Sequence, residues 1–144
     1  MLISTKGRYA LRTMVDLAVH GEGGPVKIKD IARRQDISGK YLEQIISILS
    51  RAGYVRSVRG NQGGYYLSRP PREYTAGMIL RATEGSLAPV DCLAGEENPC
   101  CRQQDCVTLK LWRELDQAIG SVVDRYTLED LAKWQREQAD HWII

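Results

Sequence analysis

Along the first fifty residues apolar positions recur at helical spacing in two runs, with a short helix between them. Tyr9, Ala10, Met14, Leu17 and Ala18 share one face of a 3.6-residue repeat, which predicts a helix from Ser4 or Thr5 to His20. Gly21 to Pro25, with three glycines and a proline, ends it. A short helix is predicted over about 28–34, followed by the tight turn Gln35-Asp36-Ile37. Ser38 then stands where an N-cap belongs. Leu42, Ile45, Ile46 and Leu49 supply the buried stripe of a third helix that reaches Arg51, and Gly53 marks its end.

The pattern then changes. Tyr54–Arg59 and Tyr65–Ser68 read as two strands around the turn Gly60-Asn61-Gln62-Gly63-Gly64. Past Pro70-Pro71 a helix is predicted over about 75–83, and 85–106 reads as a loop. Leu111, Trp112, Leu115, Ala118, Ile119, Val122, Val123 and Tyr126 form an apolar stripe on a long helix from about Val107 to Arg125. That stripe is too continuous for a surface helix on so small a domain, so pairing with a symmetry mate is expected to cover it. Thr127, with Asp130 three residues on, opens a last helix as a capping box.

Helix, short helix, tight turn, helix and hairpin is the order of a winged helix-turn-helix. The expected class is mainly α: a winged helix-turn-helix DNA-binding domain with a small β-hairpin wing, plus a long C-terminal dimerisation helix. The expected divisions are 1–72 for the DNA-binding domain, 73–106 for a linker helix and cysteine-bearing loop, and 107–144 for the dimerisation helix, last helix and tail.

Charge sharpens this picture. Residues 1–72 carry 13 Lys/Arg against 5 Asp/Glu, whereas 73–144 carry 7 against 13. A basic first half suits a polyanion such as nucleic acid. The third helix opposes its apolar stripe with Lys40, Glu43, Gln44, Ser47 and Arg51. Its opening residues Ser38, Gly39 and Lys40 can meet phosphate with backbone N–H groups. Gln44 can pair with an adenine edge and Glu43 can accept from a cytosine amino group. Arg56 and Arg59 precede the glycine-rich hairpin tip that begins at Gly60, where an Arg can enter a narrow minor groove. With Tyr41, these residues complete the candidate DNA-binding set: Ser38, Lys40, Tyr41, Glu43, Gln44, Arg51, Arg56, Arg59 and Gly60.

All four cysteines, Cys92, Cys100, Cys101 and Cys106, lie within 15 residues. There is no apolar run of signal-peptide or membrane-spanning length, so the expected location is cytoplasmic, with thiols reduced. Clustered cytosolic thiols then fit iron–sulfur, zinc or a metal-free thiol sensor. The paired Cys-x2-4-Cys knuckles usual for structural zinc are missing. His20 and His141 sit apart from any nucleophile pattern, so no enzyme is expected. A small iron–sulfur electron carrier would account for the cysteines but for neither the basic half nor the hairpin tip.

Three segments carry a resemblance: Ser4-Thr5-Lys6-Gly7-Arg8-Tyr9-Ala10, Tyr41-Leu42-Glu43-Gln44, and Val58-Arg59-Gly60-Asn61-Gln62-Gly63-Gly64-Tyr65. They resemble the signature segments of the Rrf family of small bacterial transcription regulators, over nearly the whole chain. The resemblance implies a winged-helix homodimer, expected to act as a repressor, on a partly palindromic double-stranded operator. Ser38, Lys40, Glu43, Gln44 and Arg59 match the family's DNA contacts. The iron–sulfur-sensing, IscR-like branch implies a 2Fe-2S cluster on three Cys of this loop. Cys92, Cys100 and Cys106 match those positions, with Cys101 as a candidate fourth ligand. Where some relatives offer a ligand from the partner's first helix or three residues past the last Cys, this chain has Arg8, Arg12 and Leu109. The C-terminal part instead resembles the CymR-like branch, which implies control by a cysteine-biosynthesis enzyme, O-acetylserine sulfhydrylase, that takes a free C-terminal Ile. Here that residue is Ile144.

Overall fold

The structure, a computed structural model, describes residues 2–141, so Ile144 and its expected partner contact lie outside the described residues. The elements are α1 (Thr5–His20), α2 (Ile28–Gln35), α3 (Gly39–Arg51), β1 (Val55–Val58), β2 (Gly64–Leu67), α4 (Ala76–Glu84), α5 (Leu109–Val123) and α6 (Leu128–His141).

Local chemistry sets most of the boundaries. Ser4 caps α1, its Oγ accepting from the Gly7 N–H at 3.2 Å. The Glu84 carboxylate accepts from the Ser4 backbone N–H at 2.9 Å, so the end of α4 is tied to the positive end of α1. Asp36 closes α2 in the left-handed conformation, with φ 53°. Ser38 caps α3 by accepting from the Tyr41 N–H at 3.2 Å. Thr127 and Asp130 form both halves of the capping box, at 2.9 and 3.1 Å.

β1 and β2 pair antiparallel, with Val55 opposite Leu67 and Val58 opposite Gly64. Val26 adds a third rung: it and Tyr65 exchange backbone hydrogen bonds of 2.8 Å each way. Gly64 makes this approach possible, because a Cβ there would lie 2.5 Å from the Val26 carbonyl oxygen. This tip glycine therefore serves the protein's own packing.

One core joins the helices. Met14 and Leu17 of α1, Ile31 of α2, Leu42, Ile45 and Leu49 of α3, and Tyr74 and Ile79 are buried together with Leu128 and Ala132 of α6. The last helix therefore folds back onto the first. The backbone secures that return: the Ala76 N–H donates to the Tyr126 carbonyl and the Leu128 N–H to the Tyr74 carbonyl, each at 2.9 Å. Ile79 keeps α4 within this core, so the excursion is the cysteine loop with α5, and the chain returns where 74–76 pairs with 126–128.

α5 is shorter at both ends than the apolar pattern predicts. At its start Thr108 provides no side-chain cap, and the Leu109 N–H turns back to the Cys106 carbonyl at 3.2 Å. At its end Tyr126 leaves the helix so that its carbonyl can accept from Ala76. Its ring packs on Trp134 at 5.1 Å between centroids. α2 runs one residue longer than predicted, to Gln35. No helix among the described residues is long and apolar enough to cross a membrane.

Burial of Leu128 predicts that Leu128→Ala destabilises the fold by about 2–5 kcal/mol, read from the urea unfolding midpoint. A change below 0.5 kcal/mol would show α6 to be detached from the core.

Candidate nucleic-acid interface and cysteine loop

The polar face of α3 stands free of the core. Lys40, Glu43, Gln44, Ser47 and Arg51 are exposed, while Leu42, Ile45, Ile46 and Leu49 are buried behind them. Tyr41 is half-buried. The Arg51 guanidinium donates to Ser47 Oγ at 3.2 Å, which lays it along the helix. Ser38 spends its hydroxyl on the cap, and Ser38, Gly39 and Lys40 at the helix N-terminus are exposed.

Lys6 of α1 lines the same shallow groove as Lys40, Glu43, Gln44, Ser47 and Arg51. Sequence reading missed it, because only tertiary packing brings the start of α1 beside α3. Its place in the motif Ser4-Thr5-Lys6-Gly7-Arg8 was the one available signal.

On the hairpin, Arg56, Arg59 and Gly60 are exposed, and Gly60 has the positive φ of 103° that turns the tip. Arg56 sits opposite Tyr66 in the ladder and Arg59 follows the last paired residue, Val58. Among the described residues no carboxylate lies within 4.0 Å of Lys6, Lys40, Arg51, Arg56 or Arg59. Arg34, Arg81 and Arg136, by contrast, pair with Asp16, Asp124 and Glu22 at 2.7, 2.6 and 3.3 Å. The cations of α3 and the hairpin are therefore left uncompensated, the condition under which phosphate is attracted.

The cysteines lie on the excursion between α4 and α5. Cys92 sits in a single helical turn, Asp91–Leu93. The Cys100 N–H donates to Asn98 Oδ1 at 2.9 Å, while the buried Asn98 Nδ2 has no partner among the described residues. Cys101 is exposed; Cys92, Cys100 and Cys106 are half-buried, and all four are free thiols. Among the described residues no three His, Cys, Asp or Glu side chains converge as a metal site. The donor set suits soft metal by its chemistry, but the loop does not hold it preassembled.

Cys106 is the thiol most prepared for ligation. Its sulfur lies 3.3 Å from Thr108 Oγ1. That hydroxyl holds the Cys106 thiol below the ordinary cysteine range, helped by the Leu109 and Thr108 N–H groups and the Arg102 charge and opposed by desolvation.

A helix-turn-helix with an uncompensated basic hairpin defines a winged-helix DNA-binding protein. Residues 3–134 match the Rrf2 family, described as iron-dependent transcriptional regulators, and the chain belongs to that family. It is 47% identical to the HTH-type transcriptional regulator CymR of Bacillus subtilis strain 168, over 100% of this chain and 99% of that one. It is also similar to the solved structure of CymR, the global cysteine regulator of B. subtilis. There the TM-score is 0.79 and the identity 42%, over 93% of this chain and 98% of that chain. Against the structure of T. potens IscR the TM-score is 0.78 and the identity 43%, over 96% of this chain and 90% of that chain. These relatives are transcription regulators, and a DNA-binding transcription regulator is what the fold and the family define here.

The Cys106 environment predicts fast alkylation. In metal-free protein keeping Cys106 as its one cysteine, iodoacetamide reactivity should rise to half its plateau below the free-cysteine value of about 8.5. Thr108→Val removes the leading cause, so the midpoint should move up. An unchanged midpoint would show that the hydroxyl does not support the thiolate.

Proposed function

We propose that this chain is a homodimeric transcription repressor whose operator binding responds to an iron–sulfur cluster, of 2Fe-2S type, held by Cys92, Cys100 and Cys106. The observation that carries this reading is the set of four free thiols in one loop ending at α5, with the Cys106 thiol held below the ordinary cysteine range by Thr108. Cys101 is the candidate fourth ligand, with Asp91, Glu96, Glu97 and Asp105 as local oxygen alternatives. The bound group would supply a crosslink of the loop that is sensitive to iron supply and oxidation. The residues then do the rest. The loop adjoins α5, and α5 is held to α4 by the bidentate Arg81–Asp124 pair at 2.6 and 3.0 Å. Ordering the loop would bear on that joint, and through it on the two reading heads.

Dimerisation is supported by α5 itself. Leu109 is its one fully buried residue, while Leu111 and Val122 are 55% and 47% exposed. Leu115, Ile119 and Val123 are half-buried. A second α5 would remove this stripe from water, at roughly 25 cal/mol per Å² of apolar surface covered. Doubling the head by symmetry would place two α3 helices for half-sites about one DNA turn apart. Ser38, Lys40, Tyr41, Glu43, Gln44 and Arg51 would meet the major groove. Arg56, Arg59 and Gly60 would meet the backbone or minor groove, with Lys6 beside them on phosphate. A dimer seated over a promoter represses by occupying it.

A second reading has one observation in its favour, the identity to CymR over the entire chain. In it the regulator answers to thiol oxidation, or to O-acetylserine sulfhydrylase bound through Ile144.

Protein purified without oxygen should be coloured, with about two iron and two sulfide per chain. Serine at Cys92, Cys100 or Cys106 should bleach it and alter operator affinity. Colourless protein carrying stoichiometric zinc would defeat the cluster while sparing DNA binding. Enzyme capture that depends on Ile144 would instead favour the second reading.

For the DNA contacts, Lys6→Ala should lower affinity for every duplex and reduce the slope of log K against log salt by about 0.9 per protomer, about 1.8 for the dimer. Arg59→Ala should do the same if it meets phosphate, or relax sequence preference if it reads groove width. Unchanged affinity in both variants would remove them from the interface.

A further inference from the structure

α1 presents Tyr9, Arg12 and Asp16 at i, i+3 and i+7, on one face, with Arg12 and Asp16 reaching the end of α2 and Tyr9 the start of α3. Asp16 is 2% exposed. It accepts from Arg34 Nη2 at 2.7 Å and Nε at 2.9 Å, and from Gln35 Nε2 at 2.9 Å. Arg12 donates to the Gln35 carbonyl at 2.6 Å and to Gln35 Oε1 at 3.1 Å. The same guanidinium lies over the Tyr9 ring, 5.1 Å from its centroid. Tyr9 in turn meets Tyr41 edge to face, at 6.0 Å. The row therefore grips the last turn of α2 on one side and the first turn of α3 on the other.

The linkage between those two points has little slack. Asp36 and Ile37 alone separate Gln35 from the Ser38 cap. Asp36 is the one non-glycine residue of positive φ among the described residues. Ile37 is buried, its N–H bound to the Ala32 carbonyl at 3.0 Å. A shift of the α2 end therefore passes to the start of α3, where Ser38, Lys40 and Tyr41 lie.

We propose that Tyr9, Arg12 and Asp16 form a brace that sets the angle at which α3 meets the duplex, which makes Arg12 and Asp16 positioning residues for operator recognition. The inference rests on α3 being the reading helix. A bidentate buried pair fixes direction as well as distance. Base-edge hydrogen bonds fail with small misalignment, whereas Coulomb attraction to phosphate changes slowly with distance. Loosening the brace should therefore reduce sequence discrimination and leave charge-driven binding alone. A merely structural role acts otherwise: it lowers the folded fraction and scales both affinities together.

The test uses the full-length protein and a duplex that the wild type selects from a random-sequence pool, against a scrambled duplex of the same length. Asp16→Asn and Gln35→Ala are each measured on both duplexes across a salt series. Affinity for the selected duplex should fall about tenfold, the scale of one good base contact, while affinity for the scrambled duplex changes less than about twofold with an unchanged salt slope. Gln35→Ala removes a half-buried side chain and keeps the test alive if Asp16→Asn does not fold. Equal losses on both duplexes, or none on either, overturn the brace. A wild type that selects no sequence overturns the reading of α3 itself, and the brace with it.

Discussion

Burial of one face of α1 is the contact from which the other elements take their positions. Ala10, Met14 and Leu17 are 0–2% exposed, surrounded by side chains from α3, α4 and α6. Removing Met14 and Leu17 from water contributes about 1.5–3 kcal/mol each. The opposite ends of α1 serve different neighbours: Ser4 holds Glu84 of α4, and Asp16 holds the end of α2. A helix fixed on both flanks can set α3 and the cysteine-bearing excursion in one frame.

Charge is distributed on the same plan. Two scaffold cations face carboxylates, Arg34 with Asp16 and Arg81 with Asp124, whereas Arg12 is held by the Gln35 carbonyl and side-chain amide. Where a basic residue faces outward from α3 or the hairpin, it has no carboxylate partner among the described residues. Paired cations contribute direction to the fold; unpaired ones contribute field to the surface. One composition thus serves both needs, and the net charge of +2 conceals the difference.

The cysteine loop belongs to neither scheme. It hangs from the end of α4, returns at α5, and meets the core again through the backbone pairing of 74–76 with 126–128. An excursion closed at its base can reorganise without unfolding the core, because the closing hydrogen bonds do not pass through it. That freedom suits a segment whose order would depend on a bound group.

Most of the fold was legible in the chain itself. Apolar spacing placed α1, α3 and α5, and Ser38, Gly53 and Thr127 marked ends because capping is a local interaction between residues three or four apart. The hairpin was legible for the same reason. The ends of α5 were not, since Tyr126 leaves the helix for a carbonyl contact with Ala76, fifty residues away in sequence. Lys6 joined the groove of α3 only through packing, and the return of Leu128 to the core left no periodic trace. The roles of Tyr9, Arg12 and Asp16 were equally hidden, because a helical face does not name its neighbour. The sequence by itself determined elements, caps and the supply of charge and thiols, all of them short-range properties. Only the tertiary structure decided which distant groups meet, since burial of a shared core sets those distances.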